Sequence, residues 1–212
     1  MIYLSSALWF PEVSEASKEG LLAIGGDLSE ERLLLAYHSG IFPWYEDDQP
    51  ILWWSPDPRM VLFPERFYAS KSLKKIIKSN IFNVTFNQNF SEVISQCAAI
   101  KRKDQPGTWL TNDMINAYQN LHYKGYAKSV EVWKEGKLVG GLYGIDLQDR
   151  KVFCGESMFA KESNASKVGL YMLTKKLIER NYKLIDCQVF TNHLSSLGAE
   201  EIPREDFINL LG

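Results

Sequence analysis

Two acidic side chains stand in otherwise apolar, strand-like runs of this chain: Glu156 in FCGESMF (Phe153 to Phe159) and Asp186 in LIDCQV (Leu184 to Val189). An acid in such a run seldom lacks a partner or a task, because an unpaired charge is costly to take out of water. Gln188 follows Asp186 by two residues, so a regular strand would project both from one face. Carboxylates are the physical answer to a half-buried cation or amine.

Other familiar chemistries find little support. His38, His122 and His193 are not gathered into a Ser/His/Asp or Cys/His arrangement. His38 and His122 fall in predicted helices as surface or capping groups, while His193, in TNHLSSLGA, follows the strand of Asp186 and borders any cleft there. Cys97, Cys154 and Cys187 form an odd set without CxxC spacing, which suggests reduced thiols rather than disulfides or a zinc site. Cys154 and Cys187 flank the acids in their strands and are read as packing groups on the opposite face, as alternation gives for Cys187 beside Asp186. Gly140, Gly141 and Gly144 in VGGLYG lack a Walker lysine and a following helix, and read as close backbone approach within a strand.

Charge narrows the partners. Lysine plus arginine number 24 and aspartate plus glutamate 26, a net charge of −2, so no global positive field draws the chain to nucleic acid. Any such contact needs a local patch, and the candidates are Lys71, Lys74, Lys75 and Lys78, with Lys101, Arg102 and Lys103 before GTWL. The N-terminal MIYLSSALWFPEVSEASKEG has no basic segment followed by a long apolar run, and no later stretch approaches the roughly 18 uncharged residues of a membrane span. The expectation is a soluble, unexported, cytoplasmic protein.

The elements that must position these residues follow from periodicity and turn signals. With 212 residues the chain fits a small domain joined to a larger one. Residues 1–62 hold Trp9, Trp44, Trp53 and Trp54 and the proline-punctuated SPDPR (Ser55 to Arg59), a density of rings and turns that predicts a small irregular domain. Within it, Asp27 as cap, Glu30 three residues on, Leu33, Leu34 and Tyr37 as an apolar face and Gly40 as a left-handed stop predict a helix over about Ser29 to Ser39.

Residues 63–212 read differently. Helices are predicted near Ser72 to Ser79, Phe90 to Ala99 and Asp113 to Lys124, capped by Ser70, Asn89 and Asn112. AKSVEVWK, KLVGGLYGID and KVFCGESMF then form an antiparallel meander with turns at Glu135–Gly136 and Gln148 to Arg150. A helix over about Asn164 to Arg180, the buried strand KLIDCQVF and a short helix complete an α+β order.

Taken together, GLLAIGGDLSEERLLLAYHSGIFPWY (Gly20 to Tyr45), ILWWSPDPRMVL (Ile51 to Leu62), GTWLT (Gly107 to Thr111), SVEVWKEGKLVGGLYGI (Ser129 to Ile145), FCGESMF, NASK (Asn164 to Lys167) and LIDCQVFTNHLSSLGAEEIPR (Leu184 to Arg204) resemble the leucyl/phenylalanyl-tRNA-protein transferase family, in order along nearly the whole chain. The resemblance implies a small N-terminal domain, 1–62, on an acetyltransferase-like (GNAT-like) domain, 63–212, with a mixed, mostly antiparallel sheet. It implies transfer of leucine, phenylalanine or sometimes methionine from aminoacyl-tRNA to proteins that begin with arginine or lysine, which marks them for degradation. No cofactor, metal or ATP is implied, and replacing an activated ester by an amide is downhill.

The same resemblance assigns Trp109, Leu142, Phe153 and Leu173 to an apolar donor pocket, Trp44 to stacking on the 3′ adenosine, Glu156 and Asp186 to the acceptor, and Gln188 to a place beside Asp186, where it either relays the amine's proton or orients the ester carbonyl; glutamine is a poor base, which favours orientation. Family members carry methionine where Leu142 stands and phenylalanine where Leu173 stands, so the pocket's shape is expected to differ here. An α-amine with a pKa of about 7.7 to 8.0 is partly neutral near pH 7, so no strongly tuned base is compulsory. Two other readings are an acyl-CoA-dependent N-acetyltransferase and a tRNA-binding module without catalysis. The first expects a Q/R-x-x-G-x-G/A loop, a glycine pattern that AKESNASKVG lacks.

Overall fold

The computed structural model describes residues 2–100 and 110–212, and two sheets organise them. The smaller is built from β1 (Ile2–Leu4), β2 (Leu21–Gly25), β3 (Phe42–Pro43) and β4 (Leu52–Trp54) in the order β1-β2-β4-β3, with α1 (Glu30–His38) between β2 and β3. The cap of α1 is Ser29, whose hydroxyl accepts the Arg32 backbone N–H, and not Asp27 as the sequence suggested. Asp27 accepts the Ser29 N–H at 2.9 Å and pairs with the Arg32 guanidinium, so it braces the turn before the helix. Gly40 does stop the helix, with φ +75°, and a Cβ there would stand 2.4 Å from Ile208.

The larger sheet has the order β11-β5-β10-β9-β8-β7-β6, from β5 (Arg59–Leu62), β6 (Asn83–Phe86), β7 (Ala127–Lys134), β8 (Lys137–Leu147), β9 (Val152–Ala160), β10 (Leu184–Gln188) and β11 (Glu200–Ile202). β7, β8 and β9 form the expected antiparallel meander, β10 lies parallel to β9, and the remaining pairs are antiparallel. This is a mixed, mostly antiparallel sheet in an α+β chain. Arg59–Leu62, which the sequence reading left at the end of the N-terminal unit, pairs with β10 and β11 in this sheet.

Helices cover both faces. α3 (Phe90–Ala99) and α4 (Asn112–Tyr123) bury Val93, Ile94, Met114 and Tyr118 in one core with Tyr143 and Ile145. α5 (Ala165–Glu179) buries Leu170, Leu173 and Leu177 in another with Leu142 and Phe153. Leu142 and its neighbour Tyr143 belong to opposite cores because adjacent strand residues point to opposite faces. α2 (Lys71–Ser79) starts at Ser70, whose hydroxyl accepts the Leu73 N–H as expected. α4 is capped by Thr111, which accepts the Met114 N–H, rather than by Asn112, and the Asn89 side chain makes no cap bond at α3. α6 (Asn192–Ser195) and α7 (Arg204–Leu211) follow β10 and β11.

In VGGLYG a Cβ at Gly144 would lie 2.2 Å from the Cys154 carbonyl oxygen, the close backbone approach predicted for this strand. No helix among the described residues is long and apolar enough to cross a membrane.

Candidate active site

The parallel strands β9 and β10 pair only through Leu184–Val152, Ile185–Phe153 and Asp186–Cys154. Beyond that register β9 runs on to Ala160, while β10 ends at Gln188. Each strand is irregular where they part. In β9, Ser157 and Gly155 pair with Tyr143 and Gly144, which leaves Glu156 as the extra residue of a bulge. In β10, Asp186 and Gln188 pair with Val61 and Met60, which leaves Cys187 as the extra residue, and Gln188 takes a left-handed φ of +66°.

A cavity of about 370 Å³ opens at this parting. Its walls include Leu142, Phe153 and Leu173, three of the four residues expected around a donor side chain, together with Trp44 on the rim. Leu170, Met158 and Ile185 complete an apolar interior. The fourth expected residue, Trp109, lies outside the described residues, as do Lys101, Arg102 and Lys103. Trp44 is held from behind: the Trp54 indole N–H donates to its carbonyl at 2.7 Å, and the two rings meet at 5.8 Å. Trp53, fully buried, donates to the Gly25 carbonyl and is structural.

Among the cavity's lining residues Glu156 is the one carboxylate. Gln188 Nε2 donates to its Oε1 at 2.9 Å and the Tyr118 hydroxyl donates to its Oε2 at 3.0 Å. The Tyr118 proton being spent on Glu156, the Tyr37 hydroxyl donates to Tyr118 at 2.6 Å. Burial, with the Asp186 charge adding to it, raises the Glu156 carboxyl to about 7, against the hydrogen bonds from Tyr118 and Gln188, which pull it down. A carboxyl poised there changes charge across neutral pH.

Asp186 belongs to the same network from its other side. Arg59 Nε donates to Oδ1 at 2.8 Å, Arg59 Nη2 to Oδ2 at 2.7 Å, and the Gln188 backbone N–H to Oδ1 at 2.9 Å. Arg59 also donates to the Gly40 carbonyl and lies between the rings of Phe42 and Phe207, at 4.8 and 4.5 Å. Asp186 does not line the cavity, so its charge answers Arg59 rather than standing open to a substrate cation. The bulge corrects the expectation of a shared face for Asp186 and Gln188: it turns Cys187 and Gln188 to the cavity and Asp186 away.

Arg59 was not singled out from the sequence. Its signal was the rule itself: an acid in an apolar strand needs a cation, and Arg59 opens the apolar run RMVL. Cys187 lines the cavity, against the alternation argument, yet burial pushes its thiol well up, so it offers no thiolate. Cys154 is packed in the core of the opposite face. His193 lines the cavity, and burial, with Lys167 adding to it, favours its neutral form. His122 stacks on Phe90 at 4.2 Å, and His38 bonds the Leu34 carbonyl, so both are structural. Lys71, Lys74, Lys75 and Lys78 are exposed on α2.

Comparison with known proteins gives this geometry its context. A model described as leucyl/phenylalanyl-tRNA protein transferase matches residues 61–212, and one for the N-terminal domain of the same transferase matches residues 26–57. A leucyl/phenylalanyl-tRNA--protein transferase of Flavobacterium johnsoniae is 61% identical over 211 residues, which is 100% of this chain and 99% of that protein. Proteins of the same name from Flavobacterium psychrophilum (100% of this chain, 99% of that protein) and Syntrophobacter fumaroxidans (98% and 88%) are 54% and 53% identical. In shape the chain is weakly similar to a ribosomal-protein-alanine N-acetyltransferase from Brucella melitensis, with 17% identity and a TM-score of 0.35 over 49% of this chain and 76% of that one.

Proposed function

The chain belongs to the leucyl/phenylalanyl-tRNA protein transferase family and is an enzyme of aminoacyl transfer from tRNA to protein; on that premise we propose that it moves leucine or phenylalanine, and in some cases methionine, onto proteins whose first residue is arginine or lysine. The product is an N-terminus marked for degradation, and the setting is the cytoplasm, which holds aminoacyl-tRNA. In this reading residues 1–62 hold the small N-terminal unit and 63–212 the catalytic one, with β5 (Arg59–Leu62) reaching from the first into the catalytic sheet.

The observation that carries the reading is an apolar cavity ending at a single buried carboxyl poised near 7. The donor side chain fills the space between Leu142, Phe153 and Leu173 and is selected by area removed from water at about 25 cal/mol per Å². Trp44 stacks on the terminal adenine. Glu156 receives the acceptor's amine or cationic side chain, and Gln188, anchored on Glu156, orients the ester carbonyl.

In the reaction the neutral α-amine attacks the ester carbon, the amide C–N bond forms and the ester C–O bond breaks. The amine's proton leaves with the ribose oxygen, which becomes a hydroxyl group. Glu156 holds the ammonium form at lower pH only as far as it is ionised, so positioning and protonation are coupled there. Asp186 acts through Gln188: fixed by Arg59, it accepts the Gln188 N–H and sustains the left-handed turn.

The test supplies labelled Leu-tRNA, Phe-tRNA or acetyl-CoA with an arginine-starting peptide, without ATP or added metal. Label from either tRNA supports the proposal; label from acetyl-CoA instead assigns the cavity to an acetyltransferase.

A further inference from the structure

A second cavity, of about 200 Å³, adjoins the donor cavity and shares two of its walls, Phe153 and Leu173. Three cationic side chains line it, Lys128 from β7 and Lys176 and Arg180 from α5 and its end, against one carboxylate, Asp146. That carboxylate is already engaged by the Tyr182 hydroxyl. None of the three cations forms an ion pair among the described residues. Lys176 instead sits 3.8 Å over the Phe86 ring.

This is an arrangement under tension. Burial lowers the Lys176 ammonium from its ordinary value, and the neighbouring Arg180 and Lys128 add repulsion that Glu179 and Asp146 offset only in part. Like charges gathered in a concave, partly desolvated place attract an anion of small size. The rest of the wall says what that anion carries. Phe86, Phe153, Leu173 and Leu177 give it an apolar side that inorganic phosphate would leave unused, and the volume is below the usual range for drug-sized ligands.

We propose that this cavity binds a small organic carboxylate carried on an apolar ring or branched chain, with its charge on Lys128, Lys176 and Arg180, and that occupancy is felt in the donor cavity through Phe153 and Leu173. A ligand pressed against those two side chains in the second cavity limits how far they yield to a donor in the first. The shape of the donor cavity, and with it the ratio of leucine to phenylalanine transferred, then depends on the ligand.

The experiment titrates the full chain with 3-phenylpropionate by calorimetry, beside 3-phenylpropanol, which lacks the charge, and inorganic phosphate, which lacks the body. The expected result is binding of the carboxylate about tenfold or more tighter than either control, and an equal loss in Lys176→Met and in Arg180→Gln. Neither residue lines the donor cavity, so basal transfer should persist in both variants. Undiminished binding to both variants would put the probe in the donor cavity and overturn the site.

The second arm measures the Leu-tRNA to Phe-tRNA ratio with and without saturating probe. It should shift in the unaltered chain and stay constant in Lys176→Met; an unmoved ratio in the unaltered chain overturns the coupling. Calorimetry requires no transfer activity, so failure of the site and failure of the transferase reading are told apart.

Discussion

Arg59 and Asp186, 127 residues apart in sequence, close a two-pronged ion pair in which neither side chain is more than 2% exposed. Breaking one half of such a pair strands a charge without water. Arg59→Met, and equally Asp186→Asn, should therefore lower stability by about 3 to 5 kcal/mol, whereas the double variant Arg59→Met/Asp186→Leu should recover a good part of it. Denaturant melts check this, and a double variant no more stable than the singles would mean that the pair is not the source. Activity lost in Asp186→Asn must be read against this stability change.

Glu156 provides the pH dependence. Its carboxyl is raised from 4.5 to about 7, so the folded state binds more protons than the unfolded state between those values. Its contribution is fully present below the unfolded value and is lost as pH rises through about 7, which amounts to about 3 kcal/mol across the window. Glu156→Gln, which keeps the shape and never ionises, should flatten that decline and be the more stable protein on the alkaline side. Thermal melts across the window decide it.

The same substitution should lower transfer to arginine-starting and lysine-starting peptides about tenfold or more, since a charge-assisted contact is worth roughly 1.5 to 3 kcal/mol. Binding of uncharged tRNA at fixed salt should barely change, because Glu156 lies at the end of an apolar cavity and not on a phosphate track. Normal peptide kinetics in a normally folded Glu156→Gln would move the acceptor site elsewhere.

Tyr118→Phe removes the hydroxyl that donates to Glu156 and holds its carboxyl down. The inflection of the pH–rate profile near 7 should move upward, while a loss confined to stability would leave the inflection in place. The measurement is the rate of transfer against pH in both proteins.

In the donor cavity, Phe153→Ala should weaken use of leucyl and phenylalanyl donors by up to about 3 kcal/mol, and Leu173→Phe should shrink the space and change the ratio between them. Competition kinetics with both charged tRNAs would expose an unchanged ratio, which would remove Leu173 from the donor's contacts.

The sequence alone determined what depends on neighbours along the chain. The meander from Ala127 to Ala160 and the helices over Phe90–Ala99 and Ala165–Glu179 were legible because each is long enough for its period to repeat. The motifs also carried the family and singled out Glu156, Gln188, Phe153 and Leu173, which the structure brings to one cavity. Strands of three or four residues, such as Ile2–Leu4 and Arg59–Leu62, repeat the two-residue alternation too few times to stand out, and their pairing is supplied by distant segments.

Only the tertiary structure decided how Asp186 is used. Alternation set it beside Gln188 on one face; the bulge at Cys187 turned it away, and Arg59, from a strand 127 residues earlier, took its charge. A bulge is one extra residue whose place is set by the partner strand, and an ion pair across 127 residues leaves no local pattern. Glu156 was legible as an acid out of place, but its poise near 7 was not. That value follows from burial, opposed by the Tyr118 hydroxyl from α4 and the Gln188 amide from β10.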